Sequence, residues 1–390
     1  MINWVSEEVA MFHSWMIGCG LALSVGATVY SVVALAAVCT RIRPALAFWR
    51  GPLPSVTVLK PLCGAEPETY ECLRSFCDQD YPDFQVVFGV ADKNDPVVPV
   101  IERLKAEFPS RQLSLVVDRR QHGTSRKVSN LVNMMPAARH DYFVIADSDV
   151  RVERDYLSRV VAPLQDESVG IVTCAYRGVP RAGVWSLLGS QFINEWFIPS
   201  VRVAALGGSR AFAFGVTIAM SRRVLCRIGG FMSLVNQLAD DYRLGELTRN
   251  LGLRTVLSDV VVETFVAETS VGDLVRHELR WLRTIRAVRP VGYLLAFITF
   301  GVPVAALGVV LAGAGPMTLA MLAITALART LLHIKMRGDK HLVRQLLVLP
   351  LRDLLSVALW QWGFVTRSVH WRDDLYLVNR DGSVLPVMRI

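Results

Sequence analysis

Trp15 to Thr40 is an almost unbroken apolar stretch. It is long enough to cross a bilayer as a helix, and in hydrocarbon only a helix or a closed barrel satisfies its own backbone. Arg41, Arg43 and Arg50 follow at once. This basic flank lies after the apolar run, the reverse of a secretory leader, and no small-residue cleavage site is convincing. The positive-inside tendency then sets the first residues outside and the middle of the chain in the cytoplasm. Apolar blocks return near the other end. Val291 to Leu311 reads as a second span, Gly313 to Pro316 as a break, and Met317 to Leu332 as a third span. Lys335, Arg337, Lys340 and Arg344 then mark a cytoplasmic loop, which agrees with three crossings. Leu346 to Val365 is apolar but contains Arg352-Asp353. It reads either as a span with a buried ion pair or as a re-entrant or interfacial segment.

Between these blocks the pattern changes to short β-branched runs alternating with helical segments. Ser55–Leu59, Gln85–Val90, Leu113–Val117, Tyr142–Ala146 and Gly170–Cys174 are strand candidates. Ala213–Met220, Leu253–Leu257 and Val260–Val266 are further ones. Strands alternating with helices imply a mostly parallel sheet with crossovers, whose ligands sit beyond the carboxyl ends of the strands. Asp92 lies at such an end, and so do Asp147 and Asp149. In extended backbone residues i and i+2 point the same way, so the Asp147 and Asp149 carboxylates are aimed together. A hard divalent ion that also binds a diphosphate suits them, because Mg2+ or Mn2+ takes oxygen ligands and shares them with substrate phosphates. The competing reading is a solvated acidic turn.

Two helices carry further chemistry. Leu238-Ala239-Asp240-Asp241-Tyr242 starts one that runs to Asn250, with its carboxylates in the first turn. Ser270 to Arg289 is amphipathic. Ser270-Val-Gly-Asp273 reads as a capping box with Asp in place of Glu, and Val275, Leu279, Leu282 and Ile285 form an apolar face. Arg276, Arg280 and Arg283 share another face, which an anionic membrane surface alone could account for.

Net charge is +8, without aromatic-basic interleaving, zinc-ligand spacing or a helix-turn-helix pattern. Anionic phosphates and a membrane face explain that charge better than nucleic acid. Cys19, Cys39, Cys63, Cys72, Cys77, Cys174 and Cys226 form no Cys-x-x-Cys and read as reduced thiols.

An ordered set of motifs runs from Pro54 to Tyr376. It comprises Leu59-Lys60-Pro61-Leu62-x-Gly64, Asp80-Tyr81-Pro82, Val90-Ala91-Asp92-x-x-Asp95-Pro96 and Lys127-Val128-Ser129-Asn130-Leu131. Asp147-Ser148-Asp149, Ile228-Gly229-Gly230-Phe231, Ala239-Asp240-Asp241-Tyr242, His277-x-x-Arg280-Trp281 and Trp371-Arg372-x-x-x-Tyr376 follow. In this set the chain resembles the membrane-bound inverting glycosyltransferases, and more narrowly the ceramide glucosyltransferase family. Arg120-Gln-His-Gly123, Arg126 to Asn130, Arg210 to Gly215 and His277 to Arg286 are similar to its bacterial hopanoid-associated branch. His277 departs from the wider processive family, which has Gln there, and this puts polymer synthesis in doubt.

The resemblance implies an α/β fold. A GT-A nucleotide-diphospho-sugar transferase domain with a mostly parallel sheet stands between one N-terminal and two to three C-terminal transmembrane helices. The expected segments are a tail (1–14), a transmembrane helix (15–40), a cytoplasmic catalytic domain (51–268), an interface helix (269–289), a transmembrane or re-entrant region (290–366) and a C-terminal tail (367–390). The implied activity moves N-acetylglucosamine from a UDP-sugar donor to a hopanoid polyol at the bacterial inner membrane, with ceramide as the alternative acceptor. Asp241, with Asp240 beside it, is the implied catalytic base. Lys60, Asp92, Lys127, Asp147, Arg280 and Trp281 are implied donor contacts. Asp149 and Asp147 would hold Mg2+ or Mn2+, and His277 and Arg283 lie on the acceptor side. A non-catalytic nucleotide-binding scaffold is the reading from another class.

Overall fold

The computed structural model describes residues 2–40, 51–181, 183–336, 346–366, 368–371, 374–379 and 382–386. Arg41, Arg43, Arg50, Arg337, Lys340, Arg344 and Arg372, which carry the charge flanks and part of the last motif, lie outside them. The chain divides into a sheet unit, Arg41–Ser190, Gly208–Thr269 and Ser368–Ile390, and a helical unit, Met1–Thr40, Gln191–Gly207 and Ser270–Arg367.

The sheet unit is built on β1 (Val56–Pro61), β2 (Phe84–Val90), β3 (Gln112–Val117), β4 (Tyr142–Ile145), β5 (Val150–Arg151), β6 (Val169–Pro180), β7 (Ile218–Ser221) and β8 (Arg254–Val266). Their spatial order is β3-β2-β1-β4-β7-β6-β8-β5. β3, β2, β1 and β4 are all parallel, as are β6 and β8, while β7 and β5 run against their neighbours. The sheet is therefore mixed and mostly parallel. Leu59, Val87, Phe143, Ile145 and Met220 form its core on one face with Val128, Leu131 and Leu244.

Three elements differ from the expected ones. The strand expected over 213–220 shrinks to Ile218–Ser221. The Phe214 N–H instead donates to the Thr173 hydroxyl at 2.9 Å, and Thr217 N–H to Phe214 O at 3.1 Å, so a turn takes the first half. The two strands expected over 253–266 are one strand, which absorbs its irregularity as a register shift against β6 at Thr173/Ala175. The C-terminal stretch carries an antiparallel sheet of β9 (Ser368–Trp371), β10 (Asp374–Val378) and β11 (Val384–Pro386). It is tied to the sheet unit where Leu238 N–H donates to Gly382 O at 3.0 Å.

Among the described residues of the helical unit, two helices are long and apolar enough to cross a membrane, Glu8–Cys39 and Pro316–Met336. The expected second span is broken instead. Pro290–Thr299 and Gly301–Ala312 meet at 75°, with Phe300 out of helical conformation between them. Small residues bring the first helix close to Gly301–Ala312. A Cβ on Gly308 would lie 2.6 Å from Gly20 O, and one on Gly20 would lie 2.6 Å from Ala312 N. Such approach suits helices that gain little from burying apolar surface in lipid.

The helix Leu349–Trp362 is about 21 Å long at 1.5 Å per residue, short of the ~30 Å hydrocarbon core. Arg352 and Asp353 do not pair with each other. Arg352 makes a bidentate pair with Glu278 at 2.6 and 2.7 Å, and Asp353 pairs with Arg329 at 3.0 Å. Glu278 lies on the capped amphipathic helix Val271–Val288, whose Ser270–Asp273 capping box is present as expected. Removing one partner of a buried pair strands a charge, so Arg352→Ala is expected to cost about 3–5 kcal/mol. The double replacement Arg352→Met with Glu278→Leu is expected to recover most of that loss. Thermal melts of the three proteins in one detergent check both statements.

Candidate functional site

Parallel β1, β2 and β4 end at one edge of the sheet, and a cluster of acidic side chains with Lys127 stands there. β4 ends at Ile145, and Asp147 and Asp149 follow as half-buried side chains. β7 runs antiparallel to β4, which returns the turn before β7, including Gly215, to the same edge. β5 pairs with β8 at Val150–Thr264, and the Thr264 hydroxyl donates to Asp149.

Lys127 is central. It sits in the first turn of the helix Arg126–Met134, capped by Ser125, whose hydroxyl accepts from Val128 N–H at 3.3 Å. Asn130 fastens this helix to β2 by donating to Gly89 O at 2.8 Å. The Lys127 ammonium lies 2.7 Å from Asp147 Oδ1 and 3.6 Å from Asp240 Oδ2. Burial pulls its proton affinity down, but Asp147 and Asp240 outweigh that and hold it above the usual lysine range.

Asp240 and Asp241 open the helix Asp240–Asn250. Both Asp241 oxygens are engaged, one by Gly215 N–H at 2.9 Å and the other by Tyr242 N–H at 2.7 Å. Burial, then the adjacent Asp240, pushes the Asp241 carboxyl up to about 6. Burial also raises Asp240, against the opposing pull of Lys127. Gly215 is where these groups meet: a Cβ there would lie 3.2 Å from Lys127 Nζ, 3.4 Å from Asp147 Oδ2 and 3.5 Å from Asp241 Oδ2.

Lys60 differs from a solvated lysine. It is fully buried, stands over the Phe76 ring at 3.9 Å and donates to the Asp147 main-chain carbonyl. Burial lowers its pKa to about 8. It supports the Asp147 loop from within the fold instead of reaching outward. Asp92 is exposed and caps its own turn, accepting from Asn94 N–H at 2.9 Å. His277, Arg280, Trp281 and Arg283 belong to the helical unit, on the helix Val271–Val288. There the His277 ring meets Trp281 edge-on at 4.6 Å, and Phe192 lies 6.0 Å from Trp281.

The set brought together is Asp147, Asp149, Asp240, Asp241 and Lys127, with Lys60 beneath. Sequence reasoning gave no role to Gly215, although it ends the Arg210–Gly215 motif, and it missed Thr264, which is remote in sequence and looks like any strand threonine. The donor chemistry suits a hard cation. Two carboxylates one residue apart stand at a strand end, and burial, then the neighbouring Asp147, raises the Asp149 carboxyl.

The profile described as "Glycosyl transferase family 21" matches residues 20–384. The chain is similar to a Caenorhabditis elegans protein named ceramide glucosyltransferase 3, at 23% identity over 61% of this chain and 52% of that one. It is similar to the ceramide glucosyltransferase of Komagataella phaffii at 39% identity, over 28% of this chain and 22% of that one. The chain thus spans about half the length of the first relative and less of the second. Among solved structures, a mannosyltransferase from Pyrobaculum calidifontis in complex with GDP-Man and Mn2+ aligns with a TM-score of 0.52 and 23% identity. The alignment covers 90% of this chain and 96% of that one. At that identity the likeness is one of fold, the GT-A arrangement of nucleotide-sugar transferases.

The raised Asp241 carboxyl has a stability consequence. Its folded pKa of about 6 exceeds the unfolded value near 3.9, so the folded state disfavours the charged form. The penalty grows as pH rises from about 4 to 6 and is complete above. Asp241→Asn gives up one of the two backbone N–H acceptors at every pH, so the expected signature is in the difference between the two proteins: the melting temperature of Asp241→Asn minus that of the native chain is expected to be higher at pH 8 than at pH 4, read by thermal melts of both at the two pH values.

Proposed function

Because the chain belongs to glycosyl transferase family 21, we propose that it is an inverting glycosyltransferase moving a sugar from a UDP-sugar to a hydroxyl of a membrane lipid. The best-supported donor sugar is N-acetylglucosamine and the best-supported acceptor a hopanoid polyol, on the strength of the motif wording around Arg120, Arg210 and His277. The observation that carries the reaction class is the Asp241 carboxylate, held by two backbone N–H groups beside Asp147 and Lys127.

Asp241 takes the proton of the acceptor hydroxyl as that oxygen attacks the anomeric carbon. The bond from that carbon to the diphosphate oxygen breaks and UDP leaves. A carboxylate with a pKa near 6 is ionised at neutral pH yet basic enough to accept the proton in the transition state. Asp147 and Asp149 would hold Mg2+ or Mn2+, which offsets charge on the departing diphosphate. Lys127 adds fixed positive charge and keeps Asp147 and Asp240 in place. Lys60 acts from below, by anchoring the Asp147 main chain. Asp92 contacts the uridine. Arg280 and Trp281 serve the donor diphosphate, and His277 and Arg283 the acceptor side. The catalytic unit faces the cytoplasm of a bacterial inner membrane.

A second acceptor has its own support: the named relatives are ceramide glucosyltransferases. Detergent-purified protein with Mn2+ or Mg2+ separates the two. It is offered UDP-N-acetylglucosamine or UDP-glucose, each with a hopanoid polyol or a ceramide, and lipid products are read by mass spectrometry. An N-acetylhexosaminyl hopanoid is expected. A hexosyl ceramide assigns the protein to sphingolipid chemistry, and UDP release with neither lipid modified overturns both acceptors.

Asp241→Asn is expected to lower transfer by about 10²–10⁴-fold while leaving the affinity for the UDP-sugar within a small factor, by calorimetry. The base must be deprotonated to act, so kcat/KM is expected to fall below about pH 6 in the native enzyme. A flat profile between pH 5 and 8 removes Asp241 from the role of base.

A further inference from the structure

The two N–H groups that hold Asp241 differ in origin. The Tyr242 N–H belongs to the next residue of the same helix and moves with the carboxylate it holds. The Gly215 N–H, 2.9 Å from the other oxygen, comes from outside that helix. Among the described residues it is the hydrogen bond that fixes the carboxylate relative to the sheet. Whatever holds Gly215 therefore bears on the reaction.

Gly215 is the second residue of a four-residue turn, 214–217. The bond that closes such a turn runs between its fourth residue and its first. Here Thr217 N–H donates to Phe214 O at 3.1 Å, and the Gly215 N–H is left over for Asp241. One side chain grips both ends of the turn. The Thr173 hydroxyl accepts from Phe214 N–H at 2.9 Å and donates to Thr217 O at 2.8 Å, with Phe214 O farther off at 3.3 Å. A hydroxyl can do both because it carries one proton and two lone pairs. Thr173 is fully buried on β6, opposite Ile218 of β7 and Leu257 of β8. Two heavy atoms on its Cβ restrict its rotamers, so the hydroxyl is held in direction as well as in place.

The chain before the turn is held separately. A Cβ on Gly245 would lie 3.0 Å from Ala213 Cβ, and Arg249 donates to Arg210 O at 3.3 Å. The helix that carries Asp241 thus also packs on residues 210–213. Loss of the Thr173 hydroxyl would release the turn without releasing the segment that leads into it. Phe214 N–H and Thr217 O would each lose a buried partner, which costs free energy unless the turn moves. A small movement matters, because Gly215 lies where Lys127, Asp147 and Asp241 converge.

We propose that Thr173 is a positioning residue of the transfer reaction: its hydroxyl holds the turn 214–217 where the Gly215 N–H aims the Asp241 carboxylate at the acceptor hydroxyl. Buried as it is, Thr173 acts through Gly215 and not on substrate. The inference rests on the proposed role of Asp241 as base.

The full chain in detergent is assayed with UDP-N-acetylglucosamine, a hopanoid polyol and Mn2+. Thr173→Val keeps the side-chain shape and removes the hydroxyl, Thr173→Ala removes the hydroxyl and the methyl, and Thr173→Ser restores the hydroxyl. The first two are expected to lower kcat about tenfold at an unchanged KM for the UDP-sugar, part of the ~10²-fold that a 1 Å misplacement costs. Thr173→Ser is expected to recover most of that loss. Ile171→Val, in the core on the same strand, is the control for lost packing: it is expected to melt lower and to keep its kcat. Amide exchange in the turn, read by mass spectrometry without turnover, is expected to speed up in Thr173→Val and to slow again in Thr173→Ser. Native kcat in Thr173→Val beside an inactive Asp241→Asn overturns this inference alone. So does native exchange in the turn of Thr173→Val, or an equal fall of kcat in Ile171→Val. Native turnover in Asp241→Asn overturns the base reading, and this inference with it.

Discussion

Lys127 stands 2.7 Å from Asp147 and 3.6 Å from Asp240, and without it the Asp147, Asp240 and Asp241 carboxylates would crowd one small region. Like charges in a low-dielectric setting repel steeply, and a fixed ammonium is the least mobile way to hold them apart and together. Much of the sheet unit serves to keep it there. Ser125 caps its helix, Asn130 ties that helix to Gly89, and Met134 packs on the same glycine. Gly89 leaves no room for a side chain, so the helix is seated on β2 at a single depth.

Other elements answer the same constraint from different directions. β7 must run against β4 so that Gly215 can present its N–H to Asp241. β5 must pair with β8 so that Thr264 reaches Asp149. Lys60 supplies charge from the interior, with the Phe76 ring as its second support. The resulting site has carboxylates whose proton affinities burial has raised, the condition under which Asp241 can act as a base near neutral pH.

Much of this was legible in the sequence. β1, β2 and β4 read as strands because β-branched and aromatic runs bounded by turn residues have few other uses, and the Asp147/Asp149 pair was visible at a strand end. The helix beginning at Asp240 and the Ser270–Asp273 box followed from local rules of helix starts. What escaped depends on partners far along the chain. Lys60 at the end of β1 looks like a surface lysine until Phe76 and Asp147 are brought to it. Arg352 and Asp353 look like a pair, yet Glu278 and Arg329 claim them separately. The bend near Phe300 has no proline at its centre, and the strand through Ser258 and Asp259 carries residues that read as a turn. In each case tertiary contacts outweigh a correct local preference.

The central claim is that one carboxylate, Asp241, drives a single displacement without a covalent intermediate. The anomeric configuration of the product tests it most directly. With an α-linked UDP-sugar, the proton NMR spectrum of the glycolipid is predicted to show the large anomeric coupling of a β-glycoside. An α-glycoside would mean retention, and would contradict the role given to Asp241.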